Sequence, residues 1–139
     1  YHAYGQPIHA MDAGHVVMVV DGVPDHEPGV RGAYRLGNTI VVRHAGNLHS
    51  VYAHLRPGRA RVRSGDAVER GQVLGESGNS GFSTLPHVHV HLQDDFIIGK
   101  AWGVEAVFAD AVVEREGVQA HMTNVSLLEG DLVAHVAEP

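Results

Sequence analysis

Apolar positions along the chain fall into short runs and two-residue alternations, and none recurs convincingly at the 3.6-residue spacing of an amphipathic helix. The β-branched run from His15 to Asp21 is entered through Asp12 and Gly14 and left through Gly22. Its unbroken apolar character predicts a strand covered on both faces. The stretch from Val23 to Leu36 holds Pro24, Pro28, Gly29 and Gly32 and reads as loop. Two strand-like runs, Asn38 to His44 and Leu48 to Leu55, flank a turn at 45–47 and predict a β-hairpin. Between Val62 and Gly75, turn pairs at Gly65-Asp66 and Arg70-Gly71 separate very short strands. Ser77 to Thr84 is a small-residue loop whose glycines permit close backbone approach. After Pro86, the stretch His87 to Gln93 alternates strictly. Alternation returns at Val118 to Val125 and Leu132 to Val136. The expected fold is therefore all-β with an antiparallel sheet. Residues 1–93 form the main domain, and 94–139 an acidic, β-rich extension packed on it.

Composition narrows the function classes. A chain of 139 residues can bury one continuous core. The longest apolar run, Val16 to Val20, is too short to cross a bilayer, so no membrane span is expected. The absence of cysteine excludes disulfides and thiolate metal sites. Net charge is −6, and after residue 93 only Lys100 and Arg115 offset a run of acidic side chains. The single basic stretch, Arg56, Arg59, Arg61 and Arg63, reads as a solvated strand edge, and no nucleic-acid partner is expected. Twelve histidines change the picture, because imidazole is the commonest metal ligand.

On a strand, His87, His89 and His91 share one face, opposite Val88, Val90 and Leu92, which are expected to be buried. Neighbouring imidazoles on that face lie roughly 7 Å apart along the strand. That is too far for both to reach one zinc at bonds of about 2.0 Å. The spacing suits a division of labour, in which one imidazole binds a metal and the next reaches a group held on it. Three solvent-facing histidines on an edge strand are the bland alternative. A further histidine, His54, stands near a strand end in the run Tyr52 to Leu55.

Five ordered blocks then carry a family likeness: Gly37 to His44, Tyr52 to Leu55, Gly65 to Gly75, Gly78 to Gly81 and Pro86 to His89, with Gly5 to Val17 ahead of them. In order and spacing they resemble M23 (LytM/lysostaphin-type) metallopeptidases, over residues 5 to about 93. The resemblance implies a barrel-sandwich-like sheet of the duplicated hybrid motif type and one Zn²⁺ ion. It implies His89 as a zinc ligand, His87 as general base on the attacking water and His54 as stabiliser of the oxyanion. The implied substrates are peptides of bacterial peptidoglycan, and the implied location is extracellular or in the cell envelope or periplasm. Asn79 and Ser83, on the loop before the histidine strand, are expected to line the substrate groove. The family's remaining ligands, a His-x-x-x-Asp motif, have no match at the right spacing; His9 to Asp12 is one residue too short. Tyr1 to Gly5 carries no targeting pattern and reads as a start inside a domain, so the missing ligands are expected upstream of Tyr1.

Two alternatives accompany this reading. One is a non-catalytic LytM-like module that binds or regulates cell-wall hydrolases. The other is a carrier-type barrel suggested by Gly65 to Gly75, but the lone lysine, Lys100, stands in an unrelated context. The groove is expected over the histidine strand, between loops 23–36 and 77–86, with His54, His87 and His89 converging within about 8 Å. His91 reads as a partly exposed neighbour whose removal should cost little, with indirect support of the metal as its other reading. His44 and His49 read as ordinary hairpin residues, and His2, His9, His15, His26, His121 and His135 have no supporting pattern.

Overall fold

A computed structural model describes residues 1–134, so His135 and Val136 lie outside the described residues. The chain divides into two compact units, residues 1–104 and a C-terminal unit from residue 105.

The first unit is built on a six-stranded sheet in the order β5-β2-β3-β4-β7-β8. Its strands are β2 (Gly14–Val20), β3 (Asn38–Arg43), β4 (His49–Leu55), β5 (Ala67–Val68), β7 (His89–Gln93) and β8 (Gly103–Val104). A separate pair joins β1 (Pro7–His9) to β6 (Val73–Glu76). Every pairing is antiparallel. The expected hairpin is β3–β4, turned by a short 3₁₀ segment, Ala45–Asn47, in which Gly46 and Asn47 take positive φ.

Register decides which side chains meet. Ile40 pairs with Tyr52 and Val42 with Ser50, so these residues share a face. On that face Ala10, Val16, Leu55, Val62, Val68 and Leu74 complete the core with Ile40, Val42 and Tyr52. The Tyr52 hydroxyl accepts the Met11 amide at 2.9 Å and meets Ser50 Oγ at 3.1 Å, so the central strand buries polar atoms with partners. Val41 pairs with Val51 on the opposite face, where β7 sets His91 beside Val51 and His89 beside Ala53.

Two expectations fail here for the same reason, uneven cover. Only Val16 of β2 is fully buried, because its outer neighbour β5 is two residues long and pairs only with Gly14 and His15. The strand buried throughout is β4. Likewise the strand expected from His87 starts at His89, and Val90, expected inside, is exposed. His87 is held by a single bridge to Gly78.

The C-terminal unit is a three-stranded sheet, β10-β9-β11, made of β9 (Phe108–Arg115), β10 (Val118–Val125) and β11 (Leu132–Ala134). Glu116 and Gly117 both take positive φ between paired Arg115 and Val118, the geometry of a two-residue hairpin turn. Ala111, Val113 and Val125 form its core. Arg115 grips Asp131 with two bonds, Nε to Oδ1 at 2.8 Å and Nη2 to Oδ2 at 2.7 Å, and the Leu128 amide adds a third at 2.8 Å. The Arg115 guanidinium, followed by the Leu128 amide, holds the Asp131 carboxyl at about 2. Because an unfolded aspartate titrates near 3.9, this depressed group stabilises the fold above about pH 4, and the contribution is lost as pH falls towards 2. Asp131→Asn should therefore weaken hydrogen-exchange protection of β9 and β10 at neutral pH, with the gap to wild type closing between about pH 4 and 2. A gap independent of pH would assign the effect to packing instead.

Candidate active site

Strand pleating places His89 and His91 on the Val51/Ala53 face, but by the same alternation His54 belongs to the core face with Tyr52. A register shift between Asn38 and Ile40, with φ of 61° at His54, breaks the alternation and carries the ring across. His54 and His87 have ring centroids 4.8 Å apart, and His54 and His89 6.1 Å. The three imidazoles thus gather on one side of the sheet.

Two loops fix His54. Its amide donates to Leu36 O at 2.9 Å, its carbonyl accepts from Gly78 N at 3.1 Å, and its ring Nδ1 donates to Ser80 O at 2.8 Å. Those loops meet backbone to backbone. A Cβ on Gly37 would lie 2.5 Å from Ser80 Oγ, and one on Gly81 2.6 Å from Gly37 Cα; both glycines take positive φ. Gly81→Ala should therefore lower stability by roughly 2–4 kcal/mol, combining overpacking with a left-handed backbone. Urea denaturation measures this, and an unchanged midpoint would rule out the close approach.

Carbonyl partners assign the ring protons. A carbonyl oxygen only accepts, so His54 carries its proton on Nδ1. His87 does the same, donating from Nδ1 to Leu85 O at 2.7 Å. In each ring this leaves Nε2 as the nitrogen free to accept a proton or a metal. Burial first, and the neighbouring His87 last, pull His54 below the ordinary histidine range, against an opposing push from Ser80 O. Burial, then the His91, His54 and His87 rings, lower His89. Both are thus neutral at pH 7, the form of imidazole that binds a metal or accepts a proton.

A cavity of about 320 Å³ opens here, lined by Arg35, Leu36, His54, Phe82, His89 and His91. Gln93 and residues of the Ile98 to Gly103 segment complete the lining. That last wall was not anticipated, since β8 is two residues long and leaves no periodic signal. Gln93 could have been found by taking the alternation His87, His89, His91 one step further. Asn79 and Ser83, expected along the groove, are instead 1% and 2% exposed. Asn79 Nδ2 donates to His26 O at 2.9 Å, and Ser83 Oγ lies 2.8 Å from Asn79 Oδ1 and 3.2 Å from His87 Nδ1. Small polar side chains in a tight glycine loop turn inward to satisfy its backbone, and here they brace His87 from behind.

The remaining histidines divide. His44 is buried, its Nδ1 donating to Ala13 O and its Nε2 2.7 Å from Ser50 Oγ. His49 is buried on β4 with Nδ1 unpartnered among the described residues. His91 is no spare neighbour, because both its ring nitrogens are engaged, by His89 and by Gln93.

These donors fit one flank of a metal site. Three imidazoles converge, two of them with their Nδ1 protons tied to carbonyls. Among the described residues, however, no group of three histidine, aspartate or glutamate side chains closes a cage. The arrangement can supply one ligand and two proton-handling groups around a cleft.

Comparison with known proteins identifies the family. The family description "Peptidase family M23" matches residues 1–101. Endolysin 2638A of Staphylococcus phage 2638A is 41% identical over 58 residues, 41% of this chain and 12% of its own length. Peptidoglycan DD-endopeptidase ShyA of Vibrio cholerae is 34% identical over 88 residues, 63% of this chain and 17% of its own length. The chain therefore spans less than a fifth of these two relatives. Among solved structures, a mutant catalytic domain of the prophage-encoded M23 protein EnpA from Enterococcus faecalis superposes with a TM-score of 0.55 at 33% identity. That match covers 72% of this chain and 68% of the other.

Proposed function

The chain belongs to peptidase family M23, and from that premise we propose that it is the catalytic part of a zinc-dependent endopeptidase acting on peptide bonds of bacterial peptidoglycan. The observation that carries the reading is the convergence of three rings, with His87 and His89 centroids 4.8 and 6.1 Å from His54, beside a cavity that His54 and His89 line. Relatives named as an endolysin and as a peptidoglycan endopeptidase support the substrate class. Activity on cell-wall peptides would place the protein outside the cell or in its envelope. Among the described residues no helix is long and apolar enough to cross a membrane.

His89 would hold the zinc, and the remaining donors would come from outside the described residues. Zinc, when bound, supplies Lewis-acid charge and makes water acidic enough to attack near neutral pH. His87 Nε2, a lone pair with its ring anchored at Leu85 O, takes the proton of the attacking water and returns it to the leaving amine. His54 Nε2 accepts while the ring is neutral and donates only after taking a proton from solvent water in the open cleft. Negative charge developing on the scissile carbonyl oxygen offsets the burial that otherwise disfavours that cation. Arg35 and Phe82 on the cavity wall would contact the peptide.

A second reading, a non-catalytic module that binds cell-wall hydrolases, draws on one observation, the lack of a third donor among the described residues. The discriminating experiment follows amino-group release from purified peptidoglycan by the full-length protein. Release that stops with a chelator and returns with zinc is expected. Absence of release from a zinc-replete, folded protein would favour the module.

A further inference from the structure

Beyond the three converging histidines, a hydrogen-bonded chain runs along the same face of β7. Gln93 Nε2 donates to Asp95 O, His91 Nε2 lies 2.8 Å from Gln93 Oε1, and His89 Nε2 lies 2.9 Å from His91 Nδ1. Gln93 is 3% exposed and fixed in orientation.

This chain has a direction, set by its far end. A backbone carbonyl cannot donate, so Asp95 O turns the Gln93 amide with Nε2 towards itself and Oε1 towards His91. An amide oxygen cannot donate either, so His91 carries its proton on Nε2. With its one ring proton spent on Gln93, His91 offers a lone pair at Nδ1 and accepts from His89, which carries its proton on Nε2. The one atom of the His89 ring left with a lone pair is Nδ1. His89 is thus held in the opposite tautomer to His54 and His87, whose protons lie on Nδ1.

We propose that His91 and Gln93 are positioning residues, which lock His89 as the Nε2–H tautomer and so commit Nδ1 as its metal-binding atom. The inference deepens the hydrolase reading and rests on it for the metal. Partners that fix a ligand's tautomer and ring orientation affect metal affinity by about 10–100-fold. The chain also makes His89 a better ligand, because a donated Nε2–H leaves Nδ1 more basic. Losing either link would free the ring to present the wrong nitrogen.

The test reads tautomers directly, by long-range ¹H–¹⁵N correlation of the imidazoles in the metal-free, full-length protein, with zinc affinity measured separately by chelator competition. Wild type should show His89 and His91 protonated on Nε2 and bare on Nδ1. Gln93→Met, close in shape but without an acceptor, should mix the tautomers of both rings and weaken zinc binding about 10–100-fold. Gln93→Glu keeps the acceptor and should keep the wild-type tautomers. A wild-type His89 protonated on Nδ1 would overturn the proposal. So would a Gln93→Met protein with unchanged tautomers and affinity. If Gln93→Met does not fold, the wild-type spectrum alone decides. Neither metal nor substrate enters that spectrum, so the relay can fail while peptidoglycan cleavage stands, and the reverse.

Discussion

His89→Ala is expected to remove bound zinc and peptidoglycan cleavage together. The ring lies on β7 directly beside Ala53 of the central strand, and burial with three neighbouring imidazoles keeps it neutral. Loss of the metal removes several kcal/mol of charge stabilisation, or more than about 10³-fold in rate at 1.36 kcal/mol per decade. Zinc content by mass spectrometry and amino-group release, measured on the same preparation, check the expectation. A variant that keeps zinc but loses activity would move His89 from ligand to proton-handling group.

His87→Ala should behave in the opposite way on metal content. Its Nδ1 is tied to Leu85 O and its backbone is pinned by one bridge to Gly78, so the ring can be deleted without disturbing β7. Zinc should remain close to the wild-type level, while cleavage falls by roughly 10²–10⁴-fold, the usual worth of a positioned general base. His54→Ala should likewise keep zinc and lose roughly 10²–10³-fold, as for removal of one oxyanion partner. Its stability cost should be larger than that of His87→Ala, since His54 is 5% exposed and its ring Nδ1 donates to Ser80 O, a bond the alanine removes. Loss of zinc in both variants would mean that all three imidazoles are ligands.

The sequence made the histidine face legible because strand alternation has a fixed period: His89 and His91 had to share a side. The β3–β4 hairpin was equally plain from its two apolar runs and glycine turn. His54 was different. Its place beside His89 depends on a register shift and a positive φ at a non-glycine residue, and periodicity alone sends it to the core. Only the resemblance of Tyr52 to Leu55 to a family motif singled it out. Asn79 and Ser83 were read as exposed from their loop position, whereas the loop folds their polar groups inward. The wall from Ile98 to Gly103 left no pattern to read, since a two-residue strand has no period. Tautomers, too, lie beyond any sequence pattern, because they are set by which carbonyl each ring meets.

The central claim is a division of labour among three converging imidazoles, and the most direct measurement is turnover per bound zinc in wild type, His87→Ala and His89→Ala, assayed side by side on purified peptidoglycan. His87→Ala is expected to retain zinc with turnover per zinc reduced at least about 10²-fold, while His89→Ala holds no zinc. Wild-type turnover per zinc in His87→Ala, or full zinc occupancy in His89→Ala, would contradict it.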